Sequence, residues 1–228
     1  MKRKKRKIKK KYLILGLIII TIIYILLVKF YDVEGIGPDN SKIGFALLNY
    51  KFHELTGYKE GLYKLTEYLG LLPFLLVVYY GIIGLIQLIK RKSIFKVDKK
   101  IINLGIFYIC LLFVYIFFEK VVINYRPIMI DHKLEPSFPS SHTLLALCVC
   151  ISSLLISKDY IKNDTVRKIV DILTYIVMIL LVIGRLLCGV HWLTDIIGSV
   201  LISYVLVSIY DYSITEKKIN NLHIERLK

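Results

Sequence analysis

The chain has 228 residues, 56% of them hydrophobic, and a formal net charge of +15. Its apolar residues fall in long blocks rather than in periodic stripes, which excludes an ordinary soluble globular domain and points to an all-α polytopic membrane protein. The expected organisation is a basic cytoplasmic tail at 1–11, a six-span membrane domain at 12–211 and a polar cytoplasmic tail at 212–228.

The chain opens on KRKKRKIKKK, nine basic residues within Lys2 to Lys11. Such a run can precede a cleaved signal peptide, but the apolar segment behind it is long and has no A-x-A-type cleavage site, so an uncleaved first span is expected. Basic runs also bind nucleic acid; beside a spanning segment they set topology and touch anionic headgroups, and no nucleic-acid partner is expected here. A spanning helix needs about 20 mostly apolar residues. Six stretches qualify, at approximately 12–30, 68–89, 101–119, 143–157, 169–187 and 192–211, the fourth being short. Between the first two, residues 31–67 open with a turn, EGIGPDNSKIG, and a helix start is expected at Asn40 or Ser41. Apolar positions Ile43, Phe45, Leu47, Leu48, Phe52 and Leu55 then suggest a short interfacial helix over 41–57, covering an outer pocket or guiding a headgroup.

Orientation follows from Lys and Arg. With the N-terminus inside, the inner segments 1–11, 90–100, 158–168 and 212–228 hold 23 of the 32 basic residues. Both termini are therefore expected in the cytoplasm, and residues 120–142 and 184–195 on the outer face of the cell membrane. Cys110, Cys148 and Cys150 lie in predicted spans and Cys188 is alone in its loop, so the cysteines form no disulfide framework and read as small packing residues.

Two polar clusters remain on that outer side. The first, EKVVINYRPIMIDHKLEPSFPSSHT from Glu119 to Thr143, offers Lys120, Arg126 and a Pro-Ser-Ser-His turn from Pro139 to His142. The second, GRLLCGVHWLTD from Gly184 to Asp195, offers Arg185, His191 and Asp195. Arg185 and Asp195 would together cost roughly 5–7 kcal/mol at a bilayer centre, so they are either held out of the hydrocarbon or kept for chemistry. His191 and Asp195 are four apart and share a helical face, so the carboxylate can hold one imidazole nitrogen and leave the other free. Guanidinium forks match phosphate oxygens. His-x3-Asp can also supply two metal ligands, with His132 or His142 as a third, although three nearby basic residues would repel a cation. Lys133, Glu135, His132 and His53 read as solvated loop residues.

The set R-P, P-S-S-H and R-x5-H-x3-D resembles the three-part signature of the type 2 phosphatidic acid phosphatase (PAP2) superfamily: K-x6-R-P, P-S-G-H and S-R-x5-H-x3-D. Arg126-Pro127, Pro139-Ser140-Ser141-His142 and Arg185, His191 and Asp195 follow it in order. Three positions depart: Glu119 stands where the family has lysine and Lys120 lies one residue later, Ser141 replaces glycine, and Gly184 replaces serine. The resemblance implies a PAP2-like six-span helical core and a lipid phosphatase acting at the outer membrane face. His191 would attack phosphorus to give a phosphohistidine, Asp195 would orient it, and His142 would serve as acid and then base. Arg126, Arg185, Lys120, Ser140 and Ser141 would hold the phosphate. No metal or cofactor is implied. The implied partners are membrane lipids and a phosphorylated lipid of the undecaprenyl diphosphate, phosphatidylglycerophosphate or phosphatidate class, among which the sequence does not choose; it carries no signal of oligomeric state. The alternatives are a catalytically silent lipid-binding or assembly relative and, less in keeping with spans free of mid-membrane charge, a small transporter.

Overall fold

Long apolar runs become long helices because a backbone surrounded by lipid must satisfy its own hydrogen bonds. A computed structural model describes the backbone of residues 2–225 and the side chains of residues 8–215; the basic side chains of 2–7 and the tail side chains of 216–228 lie outside it. Eight α-helices follow in order: α1 (Lys2–Phe30), α2 (Ala46–Thr56), α3 (Glu60–Leu69), α4 (Leu72–Arg91), α5 (Lys99–Lys120), α6 (Ser141–Tyr160), α7 (Asp164–Leu187) and α8 (Leu193–Glu225). Among the described residues, six segments are long and apolar enough to cross a membrane: Ile8–Phe30, Glu60–Arg91, Lys99–Lys120, Ser141–Tyr160, Asp164–Leu187 and Leu193–Thr215.

The second span begins earlier than its apolar run and is broken between Leu69 and Leu72. Pro73 sits in the first turn of α4, where its missing N–H is not needed. The fourth span is not short: α6 runs 20 residues from Ser141. It is the least apolar of the six because more than half of it faces protein rather than lipid. It packs against α4, α5, α7 and α8. Small buried residues (Ala146, Cys148, Cys150, Ser152 and Ser153) allow that close approach. Their hydroxyls are absorbed locally: Ser152 Oγ donates to the Val149 carbonyl at 3.0 Å, and the Tyr80 hydroxyl lies 3.2 Å from Ser153 Oγ. The four cysteines are free thiols.

Between the first two spans the chain departs from the expected helix over 41–57. Glu34 and Ile43 form an isolated bridge, and Phe45 is left-handed at φ 49°. Gly44 is pressed on the end of α1, where an added Cβ would lie 1.7 Å from the Val28 carbonyl oxygen. Helix formation therefore waits until Ala46. Asn49 anchors α2 to the start of α8, donating to the Gly44 carbonyl at 2.8 Å and to Thr194 Oγ1 at 2.9 Å, and accepting from the Thr194 N–H at 3.2 Å. Leu47, Leu48, Tyr50 and Leu55 remain exposed on its other side.

The turn from α7 to α8 depends on one glycine. Gly189 has φ +76°, and a Cβ there would stand 2.0 Å from the Gly57 carbonyl oxygen, while the Lys59 N–H donates to the Cys188 carbonyl at 3.0 Å. Gly189→Ala is expected to cost at least about 1–2 kcal/mol for the left-handed backbone alone, with the collision against backbone added. Gly105→Ala, in α5 with nothing within 4 Å of an added Cβ, should hold or raise stability. Thermal unfolding in detergent compares the two; equal midpoints would refute this account of the turn.

Candidate active site

Residues 121–140, between α5 and α6, form a folded-back loop at the end of the bundle that also carries the α7–α8 turn. The Arg126 N–H donates to the Glu135 carbonyl at 3.0 Å, the Lys133 N–H to the Ile130 carbonyl at 2.9 Å, and the Ser137 N–H to the Asn124 carbonyl at 2.9 Å. The indole N–H of Trp192 donates to the Tyr125 carbonyl at 2.7 Å, tying this loop to the turn that carries His191.

His191 is buried. Its Nδ1 lies 3.0 Å from the Ser137 carbonyl oxygen. A carbonyl only accepts, so Nδ1 carries the proton and Nε2 carries the lone pair. Nε2 is buried with no hydrogen-bond partner among the described residues. Burial, helped by the positive charges of Arg126 and Arg185, pushes the imidazole below the usual histidine range against the pull of Asp195.

Asp195 is fully buried, and its Oδ2 is 3.7 Å from His191 Nδ1. The aspartate expected to hold the ring N–H is thus a nearby charge, and the ring's acceptor is Ser137. The physical reason is its place in the first turn of α8: Oδ2 accepts the Trp192 N–H at 2.9 Å, closing the helix start, while Asn124 donates to Oδ1 at 3.3 Å.

Arg185 has no exposure and lies in the last turn of α7, where a cation suits the helix C-terminus. Its Nη2 donates to Oε1 of Glu67 on α3, and its guanidinium carbon lies 5.3 Å from the Tyr63 ring centre. Nε and Nη1 are buried without hydrogen-bond partners among the described residues. The same Glu67 oxygen is 3.6 Å from His142 Nε2. Arg126 Nε is 3.3 Å from Glu135 Oε2, and its Nη1 is buried and unpartnered.

Two cavities meet here. A small one of about 20 Å³ is lined by residues including Arg126, Ser137, Ser141, His191 and Glu119. A groove of about 590 Å³ between α4, α5 and α6 is lined by Glu67 and His142 at its polar end and by Phe74, Val77 and Leu111 along its apolar wall. They share Tyr115, Ser141 and Leu144. Phe74 and Leu112, both on the groove wall, are exposed on the apolar flank of the bundle.

The structure therefore gathers Arg126, His142, Arg185, His191, Asp195 and Ser141 at one end. Ser140 is buried beside them, its N–H toward the Asp195 carbonyl at 3.4 Å and its Oγ without a partner. Lys120 is exposed and lines neither cavity; one position earlier on the helix, Glu119 does, as the roughly 100° turn per residue requires. No residue of 41–57 lines either cavity; α2 instead braces the site from behind, with His53 packed on Trp192 at 5.4 Å between ring centres. His53 and Glu135 are thus not free solvated residues. Glu67 and Asn124 were not foreseen: one sits just before the second apolar run and the other in an ordinary polar loop, and neither belongs to a motif. Among the described residues no three His, Cys, Asp or Glu side chains come together as a metal site would need.

No curated protein matches the sequence. The fold resembles the crystal structure of a transmembrane PAP2-type phosphatidylglycerolphosphate phosphatase from Bacillus subtilis, with a TM-score of 0.62 and 18% sequence identity, covering 90% of this chain and 96% of that one. The family model described as PAP2 superfamily matches residues 107–218, a stretch that holds all three motifs and the turn that seats His191. Residues 107–218 of this six-span membrane protein form a PAP2 superfamily domain.

Proposed function

We propose that the protein is an integral membrane phosphatase that hydrolyses a lipid phosphate or diphosphate at the outer membrane face through a phosphohistidine on His191. One observation carries the reading: a buried imidazole whose Nε2 has no partner among the described residues lines the same small cavity as Arg126, and that cavity shares a wall with a largely apolar groove of about 590 Å³. The Bacillus protein of similar fold is described as a phosphatidylglycerolphosphate phosphatase, which favours a lipid phosphate as substrate. The excess of Lys and Arg at the opposite end of the bundle supports an outward-facing site.

In this reading Nε2 of His191 attacks phosphorus as the bond to the leaving oxygen breaks, and His142 gives that oxygen its proton. Arg126 and Arg185 meet the charge gathering on the phosphoryl oxygens with N–H groups that have no protein partner. Asp195, 3.7 Å away, offsets the positive charge that develops on His191. His142 then takes a proton from water, whose oxygen attacks phosphorus; the P–N bond breaks and phosphate leaves.

His191→Ala should abolish both phosphate release and an acid-labile, alkali-stable phosphoenzyme. His142→Ala should lose roughly 10²–10⁴-fold on a lipid phosphate, and much less on p-nitrophenyl phosphate, whose leaving group needs little protonation. EDTA should leave the rate unchanged; complete inhibition reversed by zinc would replace the nucleophilic histidine with a metal mechanism.

The attacking imidazole must be neutral. Because its folded-state titration lies below the usual histidine range near 6.5, it stays neutral at pH 7 and gains a proton only on further acidification. The acid limb of kcat/KM on p-nitrophenyl phosphate should therefore fall below pH ~6.5; a limb above that value would contradict the buried, neutral nucleophile.

The orientation is tested by cysteine labelling in a Cys110→Ser background. A membrane-impermeant maleimide added outside should modify the His132→Cys variant and spare Lys96→Cys. The reverse pattern would overturn the outward-facing site.

A further inference from the structure

Glu67 belongs to none of the three motifs, yet it is the carboxylate that touches both the buried arginine and the acid–base histidine. Two glycines admit it. Gly184 stands where the family signature has serine, and a Cβ there would lie 2.4 Å from Thr66 Cγ2, so α3 approaches α7 only because that side chain is missing. Thr66 is the residue before Glu67. At the far end of α3, a Cβ on Gly70 would lie 2.6 Å from Cδ2 and 3.1 Å from Nε2 of His142, so the helix end also closes on the imidazole through a bare backbone. The approach that brings Glu67 to Arg185 thus depends on the bare backbone at Gly184. Of Arg185, Glu67, His191 and Arg126, which all act electrostatically on the His142 ring, only Glu67 is an anion.

We propose that Glu67 is a positioning residue for the general-acid step, its carboxylate seating the His142 imidazolium and the Arg185 guanidinium together against the leaving oxygen. This rests on His142 being the proton donor of the proposed reaction. The proton passes from the imidazolium to the leaving oxygen as the P–O bond breaks and the bond from His191 Nε2 to phosphorus forms; Glu67 keeps its charge throughout. Without it, the imidazolium would face only like charge, and an isolated buried arginine would have to find another counter-ion.

The test uses the full-length protein in detergent, with phosphatidylglycerophosphate, phosphatidate and undecaprenyl diphosphate as lipid substrates and p-nitrophenyl phosphate as the activated one. Glu67→Gln keeps an oxygen for Arg185 and removes the charge. It should lower kcat on the best lipid substrate by roughly 10–100-fold, less than the roughly 10²–10⁴-fold of general acid catalysis as a whole, while changing p-nitrophenyl phosphate turnover far less. Glu67→Asp should recover part of the loss. An equal loss on both classes, or none, would overturn the proposal. If Glu67→Gln does not fold, the ratio of the two rates in Glu67→Asp decides by the same criterion. His142→Ala separates the two levels. If its loss depends on the leaving group and that of Glu67→Gln does not, only the role of Glu67 fails. If His142→Ala itself is indifferent to the leaving group, or the wild-type protein releases phosphate from none of the lipids, the underlying reading fails.

Discussion

An arginine that no solvent reaches governs this end of the bundle. Moving a guanidinium out of water costs several kcal/mol unless its charge is met and its donors are used. Arg185 meets that demand in part, through Glu67, the face of Tyr63 and the C-terminal end of its own helix. Two of its nitrogens remain without protein acceptors. α3 packs on α7, and the missing side chains at Gly184 and Gly70 leave room for it to bring a carboxylate to that point. The cluster is thus organised around one buried cation whose partners come from a helix outside the sequence motifs.

The second constraint is a helix start. α8 must begin where His191 is needed, and its first N–H groups need acceptors inside a buried site. Asp195 supplies one by bonding the Trp192 N–H, and Asn49 supplies another through the Thr194 N–H. Because Asp195 is committed to the helix, the orientation of His191 falls to a backbone carbonyl from the other side of the cluster. Loop, turn and helix start are therefore mutually dependent, with Asn124 touching Thr194 and Asp195 at once.

Much of this was legible in the residues. Apolar blocks long enough to span lipid mark six helices whatever their packing, and Arg126, His142, Arg185, His191 and Asp195 announce themselves because charge beside such blocks is costly. What stayed hidden depends on helix-to-helix contact. The full length of α6 was masked by serines and cysteines that face other helices rather than lipid. Glu67 was masked because a carboxylate just before the second apolar run, in a segment that also holds Glu60 and Lys64, carries no spacing to identify it. Lys120 attracted attention for its charge, yet one residue of helical rotation gives the cavity wall to Glu119 instead.

The two joined cavities divide the protein's tasks by chain segment. The apolar wall of the larger groove is built from Phe74 and Val77 of α4, Leu111 and Leu112 of α5 and Leu145 and Val149 of α6, whereas the motif side chains that gather around the smaller one come from 126–195. Those wall residues make no hydrogen bond to His142, Arg185 or His191. In the proposed reaction, α6 lends the groove both apolar wall and His142, whereas α4 and α5 lend it side chains outside all three motifs, so exchanges on those two helices can reshape the groove while every motif residue stays in register.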